Sequence, residues 1–355
     1  MNTKLVYVLT CAPEATYIEQ ALISIWSARY HNPNAHIMLL VDDKTNELLE
    51  GKRAEVLKYI SEKIVISFEN TTLTPMYRSR YIKTKVRELV DGDLLFIDSD
   101  TVINHSLEEI DQLPYELAAV PESNLPIAQF HPALYQSMCE NAEKIGWRYL
   151  GEEYYFSSGV VYAKDTPKTH QLFQLWHQYW MEGLKIDVRI DQPALAKANI
   201  ACGHLIQLMD NRWNSIMFTY PRRAKVAYIL HFAAFRNMSF LFSKRVLGYI
   251  KENVLTDYIK DYIVHPCNSY VPFDSEFYHY RLKDYIKCFK ILNKGVRIYA
   301  EHIDSTFVDY TPKNIVYKLL QKGLYKLAIT ILLVLKWKYT RLNKKYKYTE
   351  NICSK

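Results

Sequence analysis

Glycine is scarce in this chain, with 10 glycines among 355 residues. Nucleotide-binding loops of the G-x-G-x-x-G and Walker types need closely spaced glycines so that the backbone can approach phosphate groups. Neither pattern occurs in the sequence. We therefore expect no nucleotide site that is built on a glycine-rich loop.

Cysteine is also sparse and widely scattered, and no C-x-x-C pair is present among the six cysteines. This spacing suggests neither a zinc site nor a disulfide framework. Long apolar runs are missing too: Leu327–Leu335 is far shorter than the ~20 residues that span a bilayer. The apolar segment Leu5–Leu9 is too short for the core of a signal peptide. The expected location is the reducing cytoplasm.

Positive charge is concentrated at one end of the chain. The segment from Lys318 to Lys355 has ten Lys or Arg residues and one acid, so the rest carries 35 basic and 37 acidic residues. A near-neutral body argues against nucleic-acid binding. The tail places leucines and lysines at helical spacing, followed by Lys336-Trp337-Lys338-Tyr339. This pattern predicts an amphipathic helix that binds an anionic membrane surface. The alternative is a terminal helix packed on its own domain.

Strand and helix patterns alternate over the first two-thirds of the chain, which predicts an α/β fold with a mostly parallel central sheet and flanking helices. After about Phe240 the pattern becomes helical, with candidates at Val246–Tyr262 and Tyr278–Leu292. The predicted strands are Leu5–Leu9, Ile37–Val41, Ile64–Phe68, Leu94–Ile97, Gly159–Ala163, Leu205–Met209 and Tyr228–Phe232. The predicted helices are Ile18–His31, Asn46–Ile60, Tyr81–Val90, Thr169–Met181 and Asp191–Ala198.

The segment Leu94–Asp100 is the most informative part of the sequence, because Asp98 and Asp100 follow directly on a buried strand. Ligands of open α/β sheets bind at the carboxyl ends of strands, and paired acids there can hold a divalent cation that binds a diphosphate. A second pair, Asp91-Gly92-Asp93, precedes the strand and is typical of a tight turn. The alternative for Asp98 and Asp100 is an acidic strand end without a ligand.

Further motifs follow in order: Arg80–Lys85 in a predicted helix, Phe156–Tyr162 leading into a strand, Asp191-Gln192 opening a helix, and His231 ending a short strand. Together with the acids, this set resembles the GT-A-fold glycosyltransferases, most closely glycosyltransferase family eight. That family includes bacterial lipopolysaccharide galactosyl- and glucosyltransferases. The resemblance covers roughly residues 5 to 237.

The resemblance implies a Mn²⁺ or Mg²⁺ ion bound by Asp98, Asp100 and His231, and a nucleotide-sugar donor that is expected to be a UDP-hexose. The acceptor would be a glycan or a lipid-linked saccharide in surface polysaccharide synthesis, and the reaction would retain configuration. Asp191 and Gln192 would lie at the reacting carbon of the sugar. Residues expected to contact the donor are Thr10, Cys11, Ala12, Arg80, Ser99, Ser157 and Ser158.

The sequence departs from the family pattern at several of these positions. Ser157 stands where the family usually has Asn, and Cys11 occupies the turn after the first strand, where the family commonly has Asp or Asn. The family's phosphate-binding Lys after the metal-binding His is missing, and the resemblance implies Arg236, at a different spacing, as its replacement. From chemistry alone, His231 fits a buried histidine and Asp191 fits a helix N-cap. Arg80 fits a solvated helix residue.

The expected organisation is a GT-A-like catalytic domain over residues 1–240, a helical region over 241–317 and the membrane-associating tail over 318–355. The tail would hold the enzyme at the inner face of the cell membrane. Two other functions stay open at this stage. One is a metal-free α/β binding or scaffold protein, and the other is a nucleotidyltransferase, which also uses paired acids and Mg²⁺.

Overall fold

The computed structural model describes residues 1–69, 73–130, 132–216, 226–232, 240–242 and 244–265. The strands are β1 (Lys4–Leu9), β2 (Ile37–Asp42), β3 (Glu62–Ile66), β4 (Leu94–Ile97), β5 (Thr101–Ile103), β6 (Leu117–Pro121), β7 (Phe156–Ala163), β8 (Ile206–Leu208), β9 (Ser215–Ile216) and β10 (Ile229–His231). The α-helices are α1 (Tyr17–His31), α2 (Asp43–Glu47), α3 (Pro75–Thr84), α4 (Val86–Leu89), α5 (Pro132–Lys144), α6 (Pro167–Leu184), α7 (Gln192–Ala201), α8 (Lys244–Asn253) and α9 (Asp257–Val264). Short 3₁₀ helices cover Gly51–Lys58, Glu108–Gln112, Glu122–Asn124, Ile127–Gln129, Asn211–Asn214 and Phe240–Phe242.

A seven-stranded sheet in the order β3-β2-β1-β4-β7-β6-β8 forms the centre of the molecule. Every pairing is parallel except those of β7, which runs antiparallel to β4 and β6. Apart from Lys4 at the start of β1, the central strands β1, β2 and β4 are buried along their whole length, as expected when helices cover both faces. The predicted α/β fold with a mostly parallel sheet is therefore confirmed.

A smaller three-stranded sheet, in the order β5-β10-β9, stands beside the large one. Strand β5 follows β4 after the Asp98-Ser99-Asp100 segment, and it pairs antiparallel with β10 so that Thr101 lies opposite His231. The small sheet thus brings the end of β10 to the carboxyl end of β4. Because β1 and β4 are parallel neighbours, the residues after β1 lie at the same edge.

The bounds of the predicted helices differ from those in the structure, most of all for two of them. The segment predicted as Asn46–Ile60 is split into α2 and a 3₁₀ helix, because Gly51 has a φ of +53° that interrupts a right-handed helix. The helix predicted at Tyr81–Val90 begins earlier, at Pro75. Thr74 accepts a hydrogen bond from the Tyr77 N–H, and Pro at the first position favours that start.

The predicted turn Asp91-Gly92-Asp93 lies before β4 in the structure, and its Gly92 has a φ of +75°. The segment Val246–Tyr262 forms α8 and α9, which contact α1. The second predicted helix, Tyr278–Leu292, and the whole tail lie outside the described residues, and the domain boundaries stay predictions.

Cys11 and Cys202 carry free thiols. Within the described part of the chain, no helix has both the length and the apolar character that crossing a bilayer requires.

Candidate active site

The candidate metal centre consists of Asp98, Asp100 and His231. One ligand atom from each of the three side chains lies within 4.8 Å of the others. The acids follow β4, and the histidine ends β10, so the pairing of β5 with β10 assembles the cluster. The His231 Nε2 atom is 3.2 Å from Asp100 Oδ1. Two carboxylates and one imidazole are a donor set suited to Mn²⁺ or Mg²⁺.

A buried asparagine orients the histidine. Asn214 is fully buried, and its Oδ1 atom lies 2.9 Å from His231 Nδ1. An amide oxygen can only accept, so Nδ1 carries the proton and donates it to Asn214. The Nε2 atom then faces Asp100 and, in the neutral ring, is unprotonated and free to bind a cation. Asn214 is held in turn by Asn124, whose Nδ2 donates to the Asn214 carbonyl over 2.8 Å.

Gly159 is required by the close approach of the metal-centre side chains. A Cβ atom at this position would lie 2.3 Å from His231 Cε1 and 3.0 Å from Asp98 Oδ2. The Gly159 carbonyl also accepts a hydrogen bond of 2.8 Å from the Asp98 N–H, which fixes the end of β4 against β7. The residues present therefore fit a bound cation, because backbone and side chains together leave the three ligands side by side.

Lys83 connects the metal centre to Asp191. The Lys83 Nζ atom lies 3.4 Å from Asp98 Oδ1 and 3.6 Å from Asp191 Oδ2, and it donates to Ser158 Oγ over 3.2 Å. The other Asp191 oxygen, Oδ1, is 3.4 Å from Arg80 Nε. Asp191 occupies the N-cap position of α7 but makes no capping hydrogen bond with its side chain. Its side chain therefore does not cap the helix, and the carboxylate is held by two cations instead.

The two carboxylates that flank Lys83, Asp98 and Asp191, have pKa values shifted in opposite directions. Removal from most of the solvent raises the pKa of Asp98 above its ordinary value; Lys83 opposes this rise and Asp100 adds to it. Burial acts in the same direction on Asp191, yet Lys83 and Arg80 bring its pKa below the ordinary value overall. Asp191 is therefore ionised at neutral pH. Burial acts to lower the pKa of His231, but Asp100 raises it overall.

The side chain of Gln192 has a fixed orientation. Its Nε2 group donates to Glu122 Oε2 and to the Phe156 carbonyl, both over 2.9 Å. Both partners are acceptors, so the amide nitrogen must occupy this side and the oxygen the other. The Oε1 atom is therefore the group that Gln192 can present to a ligand.

The predicted donor contacts fall into two groups. Ser158 touches Lys83, and Ser157 Oγ lies 3.5 Å from Asn214 Nδ2, so both belong to the cluster around the metal centre. Thr10 donates to the Pro75 carbonyl over 2.7 Å, and the Cys11 N–H donates to Thr45 Oγ1 over 2.7 Å.

The turn Thr10-Cys11-Ala12 is therefore anchored at the same edge of the sheet as Asp98 and Asp100. Burial raises the pKa of the Cys11 thiol, which leaves it protonated. Ser99 lies half-buried between Asp98 and Asp100. Arg236 lies outside the described residues.

Lys83 and Asn214 are the site residues that the sequence did not single out. Lys83 lies three residues after Arg80 and so shares its helix face, which was an available signal. Asn214 is the last residue of the short 3₁₀ helix Asn211–Asn214, which has no recognisable sequence pattern, and only the fold reveals its contact with His231.

Comparison with known proteins supplies the class and the family of this chain. The sequence model described as "Glycosyl transferase family 8" matches residues 8–235, which is more than half of the chain. The chain therefore belongs to glycosyl transferase family 8, as the motifs predicted, and it is a glycosyltransferase. No curated protein shows a significant sequence match.

Several solved structures are similar to this chain. The galactosyltransferase LgtC, in complex with donor and acceptor sugar analogs, is 14% identical with a TM-score of 0.47, and the match covers 73% of this chain and 99% of that one. Mouse xyloside xylosyltransferase 1 is 15% identical with a TM-score of 0.44, covering 66% and 98%. The glycosyltransferase GlyE of Streptococcus pneumoniae TIGR4 is 15% identical with a TM-score of 0.45, covering 75% and 64%.

Proposed function

We propose that this glycosyltransferase moves a hexose from UDP-hexose to a glycan or lipid-linked acceptor in surface polysaccharide synthesis, with retention of configuration. The observation that supports the proposal is the cluster of Asp98, Asp100 and His231 in a chain of glycosyl transferase family 8. These three residues would hold a Mn²⁺ or Mg²⁺ ion. When bound, the ion supplies Lewis-acid neutralisation of the charge on the leaving diphosphate.

Lys83 and Arg80 supply positive charge from the protein itself. Both lie on α3 at the edge of the metal centre, and Lys83 is buried against Asp98. A diphosphate in this position would accept charge-assisted hydrogen bonds from them, which are about twice as strong as neutral ones. The pairing of both cations with Asp191 keeps their side chains extended towards the site before a donor arrives.

Asp191 and Gln192 are the groups proposed to act at the sugar. The transition state of glycosyl transfer is oxocarbenium-like, so negative charge or an amide oxygen next to the anomeric carbon stabilises it. Asp191 is ionised, and the Gln192 amide is held with Oε1 as its free acceptor. The anchored amide also reduces the entropy lost when donor and acceptor are aligned.

Two observations argue against the other functions. A metal-free scaffold would gain nothing from placing two partly exposed acids against a buried histidine, at a position where only glycine fits behind them. A nucleotidyltransferase usually carries a glycine-rich basic turn after its first strand, whereas this chain has Cys11-Ala12-Pro13-Glu14 there.

A hydrolysis screen tests the proposed donor. The full-length protein is incubated with UDP-, GDP- and CMP-sugars in Mn²⁺, and release of the nucleotide is measured. We expect release from a UDP-hexose, no release after chelation, and loss of release in Asp100→Asn with an unchanged melting temperature. Preferential release from a GDP- or CMP-sugar, or full activity in Asp100→Asn, would contradict the proposal.

We further propose that the basic tail, residues 318–355, holds the enzyme at the cytoplasmic face of the membrane, where a lipid-linked acceptor is presented. The support is the concentration of positive charge and leucine in the tail. Sedimentation of the full-length protein with anionic liposomes, and its loss on deletion of residues 318–355, tests this part of the proposal.

A further inference from the structure

A turn with an uncommon backbone conformation follows β6. Ser123 and Asn124, in the short 3₁₀ segment Glu122–Asn124, have φ angles of +56° and +53°, and neither residue is a glycine. Left-handed φ angles are disfavoured for residues with a Cβ atom, although Asn tolerates them better than Ser. Such residues persist only where the surrounding structure holds them, and they cluster at functional sites. We name residues 122–124 the left-handed turn.

The left-handed turn is buried and is held by several hydrogen bonds. Ser123 and Asn124 are 5% and 4% exposed. The Glu122 N–H donates to the Tyr155 carbonyl over 2.6 Å, and the Glu122 carbonyl accepts from the Leu125 N–H over 3.2 Å. The Ser123 N–H donates to Glu122 Oε1 over 2.9 Å. The turn therefore has a fixed conformation, and its side chains have fixed directions.

Asn124 connects the turn to the metal centre. Its Nδ2 group donates to the Asn214 carbonyl over 2.8 Å and to Asn211 Oδ1 over 3.2 Å, so both amide hydrogens are used. Its Oδ1 atom accepts from the Ile216 N–H over 2.7 Å. Asn214 binds His231 Nδ1, and Ile216 is the register partner of His231 in the pairing of β9 with β10. Asn124 thus holds two residues that neighbour the histidine ligand.

Glu122 connects the same turn to the residue proposed to act at the sugar. Its Oε2 atom accepts from Gln192 Nε2 over 2.9 Å, while its Oε1 atom accepts from the Ser123 N–H. An ionised carboxylate only accepts hydrogen bonds, so it fits these two donors at once. Because the turn itself binds Oε1, the direction of Oε2 towards Gln192 depends on the conformation of the turn.

Three consecutive residues therefore contact both parts of the candidate active site. With extended or right-handed φ angles at Ser123 and Asn124, the Asn124 side chain would point in another direction relative to Glu122. One of the two connections would then be lost. This dependence accounts for a left-handed backbone at two residues that carry a Cβ atom, where glycine would adopt it without steric cost.

We propose that Asn124 and Glu122 are positioning residues that act from one turn, Asn124 on the metal ligand His231 and Glu122 on Gln192. Each acts through another side chain and touches neither the ion nor the donor. The inference rests on the proposed function, because that function places Gln192 at the reacting sugar. It requires that substitution of Asn124 changes metal binding and that substitution of Glu122 changes the reaction step.

A Mn²⁺ titration of the full-length protein, followed by electron paramagnetic resonance, tests the role of Asn124. Asn124→Gly removes the amide, while glycine adopts the left-handed φ without steric cost. The matched control is Asn32→Gly. Asn32 is also 4% exposed, and its amide likewise accepts from a backbone N–H, that of Leu107, and donates to a backbone carbonyl, that of Ala28.

We expect Asn124→Gly to bind Mn²⁺ about tenfold more weakly, at the lower end of the range for residues behind a metal ligand. Both variants should lower the melting temperature, but Asn32→Gly should bind Mn²⁺ as the wild type does. Wild-type Mn²⁺ affinity in Asn124→Gly, or an equal loss of affinity in both variants, would overturn the role of Asn124.

Steady-state hydrolysis of UDP-hexose in Mn²⁺ tests the role of Glu122. Glu122→Gln keeps the shape of the side chain but turns an amide NH₂ group towards one of the two N–H donors, Ser123 or Gln192. We expect this variant to lower kcat about tenfold, the equivalent of one charge-assisted hydrogen bond, with KM and Mn²⁺ affinity unchanged. The matched control is Glu182→Gln, an exposed glutamate on α6 that accepts from Gln178 Nε2 over the same 2.9 Å.

Glu182→Gln should leave kcat, KM and Mn²⁺ affinity unchanged. An unchanged kcat in Glu122→Gln, or a parallel fall in kcat and Mn²⁺ affinity, would overturn the role of Glu122. The Mn²⁺ titration needs no donor, so failure of the inference is distinguishable from failure of the proposed function. Mn²⁺ binding that depends on Asn124, without any nucleotide-sugar hydrolysis, supports the role of Asn124 and overturns the proposed function. Hydrolysis of UDP-hexose that neither Asn124→Gly nor Glu122→Gln alters, with wild-type Mn²⁺ affinity in both, overturns the inference alone.

Discussion

At the scale of single residues, Asn214 is the clearest case of a side chain that acts through another. It accepts the Nδ1 proton of His231 and so presents Nε2 towards Asp100. Partners of this kind typically change metal affinity by 10–100-fold when they are removed. We expect Asn214→Ala to weaken Mn²⁺ binding by about that factor, as measured by electron paramagnetic resonance titration.

The control for this prediction is Asn32→Ala. Asn32 is equally buried, and its Oδ1 accepts from the Leu107 N–H over 2.7 Å, away from the metal centre. Both variants should lose stability, but only Asn214→Ala should lose Mn²⁺ affinity. Equal Mn²⁺ affinity in the two variants would show that Asn214 has a purely structural role.

A second prediction at the scale of residues concerns Lys83, whose substitution should change the affinities for Mn²⁺ and for UDP in opposite directions. Its ammonium group lies 3.4 and 3.5 Å from the two Asp98 oxygens, so it repels a cation that approaches the same carboxylate. It also offers a charged donor to a diphosphate. We expect Lys83→Met to bind free Mn²⁺ more tightly and to bind UDP about tenfold more weakly, since a charge-assisted hydrogen bond contributes ~1.5–3 kcal/mol.

Calorimetric titrations of Mn²⁺ and of UDP measure the two affinities. Lys85→Met is the control, because Lys85 is close by but pairs with Glu88 at 3.0 Å and faces away from the acids. If both affinities fall in Lys83→Met, the lysine stabilises the site without the proposed role at the diphosphate.

At the scale of elements, helix α3 is fixed by a buried ion pair. Arg78 donates from Nε to Asp42 at the end of β2, and both side chains are almost completely buried. Removing one partner of a buried pair leaves an uncompensated charge and costs about 3–5 kcal/mol. We expect Arg78→Met to lower the free energy of unfolding by this amount in urea denaturation.

The matched control for the buried pair is Arg189→Met. Arg189 pairs with Asp187 at 2.8 Å, but both side chains are well exposed, and such pairs contribute ~0–1 kcal/mol. A similar small loss in both variants would mean that the Arg78 pair does not anchor α3, and with it Lys83 and Arg80, to the sheet.

The elements also show what a sequence reveals and what it does not. Strand β4 is a fully apolar run that ends at two acids, so its burial and the place of Asp98 and Asp100 follow from composition and order. Strands β5 and β10 have three residues each, too few for any periodicity. Their pairing joins distant parts of the chain, and the contact between His231 and Asp100 depends on it. Family resemblance, not local pattern, predicted that contact.

Similar limits apply within the helices. Thr74 and Pro75 are helix-start signals in the first turn of α3. The apolar periodicity of the later residues nevertheless led to a predicted start at Tyr81. The role of Lys83 depends on how α3 is rotated against β4. That rotation is set by packing and by the Arg78–Asp42 pair, which the sequence does not specify locally.

At the scale of the whole molecule, the charge distribution predicts binding to anionic membranes. Each Lys or Arg near an anionic surface contributes roughly 1 kcal/mol, and the tail has ten against one acid. We expect full-length protein to sediment with anionic liposomes at low salt and less so at high salt. Deletion of residues 318–355 should abolish sedimentation while leaving donor hydrolysis intact.

Vesicles of neutral lipid provide the control for charge. Equal sedimentation with neutral and anionic vesicles, or binding that persists after the deletion, would mean that the tail does not act through its charge. The acceptor would then not need to lie at a membrane.

The central claim is that Asp98, Asp100 and His231 hold a divalent cation that contacts the diphosphate of the donor. Electron–nuclear double resonance of the Mn²⁺-loaded protein with UDP tests it most directly. The account predicts that one Mn²⁺ species couples both to the nitrogen of a single imidazole and to phosphorus. Both couplings should disappear in His231→Ala or Asp100→Asn. A Mn²⁺ spectrum with phosphorus coupling but no imidazole coupling, unchanged by either substitution, would contradict the account.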